Sequence, residues 1–126
     1  MILAIKTADM TATLILLDDD GNEVGRSEWE SGRQLSNDLL QKIEDLVGEW
    51  SKLTGIIVFK GPGSFTSLRI GITVANTLSD SLGIPIAGAD GEDWADDGLG
   101  LLQNGENDQI VLPEYGGEAN ITKPKK

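Results

Sequence analysis

Gly61-Pro62-Gly63-Ser64-Phe65-Thr66-Ser67-Leu68-Arg69-Ile70-Gly71 is the stretch on which the reading of this 126-residue chain turns. Before it runs Gly55-Ile56-Ile57-Val58-Phe59, a continuous apolar segment of the kind found in strands covered on both faces. After it, the apolar spacing predicts a helix from about Phe65 to Leu82, stopped by Gly83. The quoted segment is therefore a strand-to-helix turn. Gly61 and Gly63 free its backbone, Pro62 stiffens it, and Ser64 is placed to cap the helix. Two readings of the turn stay open, a purely structural corner or a set of exposed amides that bind an anion. It is not a Walker A loop, because the Gly-Lys-Ser/Thr ending is absent, nor a dinucleotide fingerprint, because the third glycine is missing. Arg69 lies in the first turns of the helix, placed either to pair with a carboxylate or phosphate or to stay solvated.

Working outward, Ile2-Leu3-Ala4-Ile5 opens a short buried strand over 2–6, and Thr11 to Asp18 reads as a second. Asp18-Asp19-Asp20-Gly21-Asn22 reads as a turn, and a third strand follows from Glu23 to Glu30. Short connections between these three favour an antiparallel meander. The Asp-rich turn imitates the start of a calcium loop, but Glu23 stands where that loop needs glycine. Gln34 to Ser51 predicts a helix from the spacing of Leu35, Leu39, Leu40, Ile43, Leu46, Val47 and Trp50, with Ser36 or Asn37 as its cap. Ile84-Pro85-Ile86-Ala87 predicts a fifth strand. The order βββαβαβ suits a mixed sheet whose later strands are parallel and linked by crossover helices. Glu92 to Gln103 predicts a weak last helix, and Ile110-Val111-Leu112 a short strand. Gly71 and Ala75, four apart on the second helix, permit close packing either on the sheet or on another helix. One domain over residues 1–115 and a loose polar tail over 116–126 complete the expected organisation.

Composition narrows the chemistry. The chain holds no histidine and no cysteine, which leaves out disulfides, thiolate chemistry, His-based general catalysis and His-containing metal sites. Ten basic against 21 acidic residues give a net charge of −11, and three of the basic ones are Lys123, Lys125 and Lys126 in the tail. Such a body repels phosphate backbones and is not expected to bind nucleic acid directly. The acidity either keeps the chain soluble or suits a basic protein partner. Asp90, Glu92, Asp93, Asp96 and Asp97 read as surface, and Asn120-Ile121-Thr122 as a chance sequon. No apolar run is long enough to span a bilayer, and Met1 to Lys6 lacks the pattern of a secretory signal, so a cytoplasmic location is expected.

The opening Ile2-Leu3-Ala4-Ile5-Lys6-Thr7, the βββαβαβ order and the Gly61–Gly71 segment together resemble the TsaB family, also called YeaZ. The family pattern GPGSFTGLRIG is matched at ten of eleven places, with Ser67 replacing a glycine. The resemblance covers roughly residues 1–90. It implies half of an actin/Hsp70-like ATPase (ribonuclease H-like) fold, and an accessory, non-catalytic role in forming threonylcarbamoyladenosine beside the tRNA anticodon. The family's catalytic partner TsaD carries the metal site and transfers the group, TsaE joins the TsaB–TsaD pair, and TsaC makes the threonylcarbamoyl-adenylate. The resemblance further implies contact with TsaD through the first two helices, here expected at Leu39, Leu40, Ile43 and Val47 and at Leu68, Arg69, Ile72 and Ala75. Gly61, Pro62, Gly63 and Ser64 form the family turn. No cofactor or metal is expected in this chain alone, a nucleotide being confined to the joint interface with TsaD. Where family members often keep an Asp after the first strand, this chain has Lys6, which cannot ligate magnesium at neutral pH. Family members are usually far longer, with a second subdomain that this sequence reduces to the region after about residue 90. The alternative reading is a nucleotide-binding phosphotransferase-like domain that completes its site as a homodimer. A third is simple self-association of the exposed helix pair.

Overall fold

A computed structural model describes residues 1–114 of the chain. The expected tail over 116–126, with its three lysines and the sequon, lies outside the described residues. Strands β1 (Ile2–Lys6), β2 (Thr11–Leu17) and β3 (Glu23–Glu30) form the expected antiparallel meander. The β2–β3 turn is held by Asp18, whose Oδ1 accepts backbone N–H bonds from Asp20 and Asn22, each at 2.9 Å. The bonds from Asn22, backbone first and then side chain, hold the Asp18 carboxyl below its usual pKa. Gly21 supplies the positive φ of +90° that this turn requires.

Strand β4 (Gly55–Gly61) pairs parallel with β1, and β5 (Ile86–Asp90) pairs parallel with β4, giving the order β3-β2-β1-β4-β5. Helix α1 (Leu35–Val47) connects β3 to β4, α2 (Phe65–Leu82) connects β4 to β5, and α3 (Trp94–Gln103) follows β5. Successive strand residues point to opposite faces, so Leu3 and Ile5 look one way and Ala4 and its partners Ile57 and Ile15 the other. On the first face, α1 lays Leu46 against Gly25 and α2 lays Gly71 against Thr7. On the second, α3 lays Gly98 against Ile57. The core between these layers includes fully enclosed Leu3, Ile5, Leu14, Leu35, Leu39, Ile43, Ile56 and Leu68.

Several expected boundaries shift for identifiable reasons. Helix α1 stops at Val47 rather than Ser51 because Gly48 adopts φ +84° and returns its N–H to the Glu44 carbonyl, leaving Trp50–Lys52 as a separate 3₁₀ turn. Neither Ser36 nor Asn37 caps it. The helix grows out of a 3₁₀ turn at Gly32–Gln34 and carries no side-chain cap. Strand β5 begins at Ile86, two residues later than expected, while the Pro85 carbonyl accepts the Ile56 N–H. Ile110-Val111-Leu112 is not a strand: Val111 is buried between exposed Ile110 and Leu112. The acidic residues Asp90, Glu92, Asp93, Asp96 and Asp97 are all exposed, as expected. Among the described residues no helix is long and apolar enough to cross a membrane.

Helix α3 offers a test of packing against propensity. Ala in place of helical Gly normally stabilises by about 0.5–1 kcal/mol. A Cβ on Gly100 meets nothing, whereas one on Gly98 runs into the Ile57 side chain. Gly100→Ala should therefore raise stability by that amount. Gly98→Ala should instead lower it by about 1–3 kcal/mol through overpacking. Urea denaturation of the two variants checks the opposite signs.

Candidate functional site

The motif turn is pinned to the end of β1. The Ser64 N–H donates to the Ala8 carbonyl at 2.7 Å, and a Cβ on Gly63 would stand 2.7 Å from both the Ala8 Cβ and its carbonyl oxygen. The Gly61–Pro62 bond is cis, and Gly61, at φ +133°, lies directly against the Glu114 carbonyl. Both glycines are thus explained by close backbone approach, which favours the structural reading of the turn over the anion site. Ser64 occupies the N-cap position of α2, yet its hydroxyl makes no capping bond. One turn further on, the Thr7 hydroxyl donates to the Ser67 carbonyl at 2.7 Å, and Gly71 packs against the same threonine. Gly83, at φ +66°, ends the helix in the left-handed conformation expected of it.

This seating decides which residues face outward. Leu68, Ile72 and Ala75 point into the chain's own core, as do Leu39, Ile43 and Val47 of α1. The expected contact surface is corrected accordingly: of its members only Leu40, 52% exposed, and Arg69 reach the surface. The reason is that each helix first satisfies the sheet with its deepest apolar stripe. Gly71 packs against Thr7 just past β1, and Ala75 is fully buried within the chain itself. Helix α2 nevertheless carries a second, outward stripe of Phe65, Ile70 and Val74, interleaved with Thr66, Arg69 and Thr73. With Ser36 of α1 these line a groove of about 390 Å³. Phe65 is 54% exposed, and the Arg69 guanidinium lies 5.1 Å from its ring centroid. No carboxylate among the described residues pairs with Arg69.

The charge pattern sets this groove apart. In a chain with 21 acidic residues, no Asp or Glu occurs between Glu49 and Asp80. Sequence reasoning missed Phe65, Ile70, Thr73 and Val74 as surface residues. Two signals were present: more apolar positions on α2 than one face can bury, and this acid-free window.

Lys6 sits on the opposite face of the sheet with its Nζ 4.7 Å from the Phe59 ring centroid, and Phe59 in turn meets Trp94 edge-on at 5.9 Å. Among the described residues no group of three or more His, Cys, Asp or Glu side chains is arranged to hold a metal ion.

A five-stranded mixed sheet in the order β3-β2-β1-β4-β5, with its crossover helices, is the half-domain of the actin-like, ribonuclease H-like fold. Comparison with known proteins agrees. A curated relative, the tRNA threonylcarbamoyladenosine biosynthesis protein TsaB of Bacillus subtilis (strain 168), is 36% identical over 90 residues, covering 68% of this chain and 39% of its own length. A solved structure of YeaZ from Pseudomonas aeruginosa superposes with a TM-score of 0.64 at 27% identity, over 71% of this chain and 43% of that one. A second structure, of a protein described as similar to the peptidase YeaZ from Pseudomonas aeruginosa, gives 0.65 at 27% identity, over 71% and 42%. The family model described as TsaD, tRNA N6-adenosine threonylcarbamoyltransferase, matches residues 31–90. Over the part of its length that matches, this chain belongs to the TsaB/YeaZ family. It spans about two-fifths of the length of these relatives.

The Thr7–Gly71 contact that aims the groove is testable by a double-mutant cycle. Gly71→Ala should cost about 1–3 kcal/mol because its methyl group collides with Thr7. Thr7→Ala should cost about 1 kcal/mol or more through the lost hydrogen bond. Combined, they should be less damaging than their sum by at least about 0.5 kcal/mol, because the truncated Thr7 makes room for the new methyl. Chemical denaturation of the single and double variants measures the coupling.

Proposed function

We propose that this chain takes part in forming threonylcarbamoyladenosine in tRNA as a non-catalytic accessory subunit, docking on TsaD and supporting its transfer reaction. The TsaB relative supports the pathway. The observation that carries the docking reading is the groove along α2, lined by Phe65, Ile70 and Val74 with one cation, Arg69, and no carboxylate on an otherwise acidic molecule. Depletion of acidic residues, with aromatic and Arg side chains at the centre, is the composition of a protein interface core. Two helices from each partner meeting there would bury about 1,200–2,000 Å² in total. In this reading residues 1–115 act as one working domain in the cytoplasm. TsaE joins through the assembled pair, and tRNA is held by the complex rather than by this acidic chain. Lys6 argues against the rival phosphotransferase reading, since an ammonium stacked on Phe59 stands where a magnesium-binding carboxylate would be needed. Binding of ATP by the chain alone, measured by calorimetry, would favour that rival.

Native mass spectrometry of the full chain mixed with TsaD from the same organism should give a heteromeric complex. Thr73→Arg places a bulky charge on the exposed face without entering the core. It should leave the fold intact by circular dichroism while weakening the complex by at least about 2 kcal/mol, roughly thirtyfold. Unchanged affinity would remove this face from the reading. Absence of any complex with the unaltered chain would remove the reading itself.

A further inference from the structure

The two edges of the sheet are finished differently. Strand β3 forms one edge and bears Glu23, Arg26, Glu28 and Glu30, and charges of this density discourage strand addition. Strand β5 forms the other edge, and its Ile86-Ala87-Gly88-Ala89 carries no charge before Asp90. A bare edge of this composition is a template for another strand.

The chain covers that edge itself. The Ile86 N–H donates to Asn107 Oδ1 at 3.1 Å, the Ile86 carbonyl accepts the Asp108 N–H at 2.8 Å, and the Gly88 N–H donates to Asp108 Oδ2 at 2.8 Å. Two side chains and one amide thus reproduce the ladder bonds that a neighbouring strand would supply. Asn107 Oδ1 also accepts the Gln109 N–H at 2.9 Å, and Gln109 turns the chain at φ +65°. Val111 then drops into the space left by the missing side chain of Gly88, where a Cβ would stand 2.7 Å from its Cγ1. Asn76 on α2 grips Val111 from both sides, accepting its N–H at 2.9 Å and donating to its carbonyl at 3.0 Å. Finally the Glu114 N–H donates to the Lys60 carbonyl at 2.6 Å, tying the segment to the end of β4.

The geometry points to residues 107–114 as an intramolecular strap that closes the β5 edge against strand addition by a second copy of this chain. A second copy is the occupant it excludes because two identical uncharged edges pair isologously with no other molecule required. The strap does at β5 what charge does at β3.

The test uses the full chain. Asn107→Ala/Asp108→Ala removes the acceptors that fill the edge, and Gly88→Val fills the Val111 hole while leaving those acceptors in place. In both variants amide exchange at positions 86 and 88 should accelerate by about tenfold or more, with Val58 in β4 unchanged as the internal control. Sedimentation velocity should show a dimer growing with concentration, while the unaltered chain shows no strand-paired dimer. Protection at positions 86 and 88 retained in both variants overturns the proposal. So does an opened edge that stays monomeric, and so does global loss of protection in both variants, because the segment would then be part of the core rather than a cover.

Discussion

The close approach between the end of β1 and the start of α2 is the constraint from which the rest follows. Four contacts make it: the Ser64 N–H on the Ala8 carbonyl, Gly63 against Ala8, the Thr7 hydroxyl on the Ser67 carbonyl, and Gly71 against Thr7. Neither glycine tolerates a Cβ without displacement, and the two hydrogen bonds fix the direction of approach, so together they set both the depth and the rotation of α2 on the sheet. Once that rotation is set, Leu68, Ile72 and Ala75 must be core and Phe65, Arg69, Ile70 and Val74 must face out. The motif segment is therefore better understood as a rotational clamp than as a ligand loop.

Charge is distributed to match. Acidic residues crowd the β2–β3 turn, the exposed positions of α1 and β3 and the start of α3, but they are missing from Glu49 to Asp80. An apolar face that must desolvate on contact loses affinity for every carboxylate it buries unpaired, so such a face is viable only where carboxylates are absent. Sheet edges obey a related logic. Charge protects β3, whereas β5 lies under a segment whose Asn107, Asp108 and Val111 fit its bare backbone.

Much of the architecture was legible because its signals are local. The apolar run at Gly55–Phe59 marked a doubly covered strand. The Leu35-Leu39-Ile43 spacing marked α1, and Gly83 marked the end of α2. The errors arose where backbone geometry or a distant partner settles a local choice. Gly48 ends α1 earlier than its apolar spacing implies, and Ser36, Asn37 and Ser64 were plausible caps whose side chains make no capping bond. Ile110-Val111-Leu112 carries strand composition, but its buried residue is held by Asn76 rather than by a ladder. For the candidate site, periodicity found both helices but not which stripe the sheet would claim. Six of the residues expected at a partner surface were claimed by the core.

Sequence alone determined the class of fold, the family motif and the acid-free window, because each is a matter of residue identity and near-neighbour spacing. Tertiary structure alone decided the orientation of α2, the membership of the exposed groove and the closure of the β5 edge. Those depend on contacts between residues far apart in the chain, Thr7 with Gly71, Asn76 with Val111 and Ile86 with Asn107. A helix with two apolar stripes is ambiguous until something fixes its rotation, and here Thr7, just past the end of β1, does so.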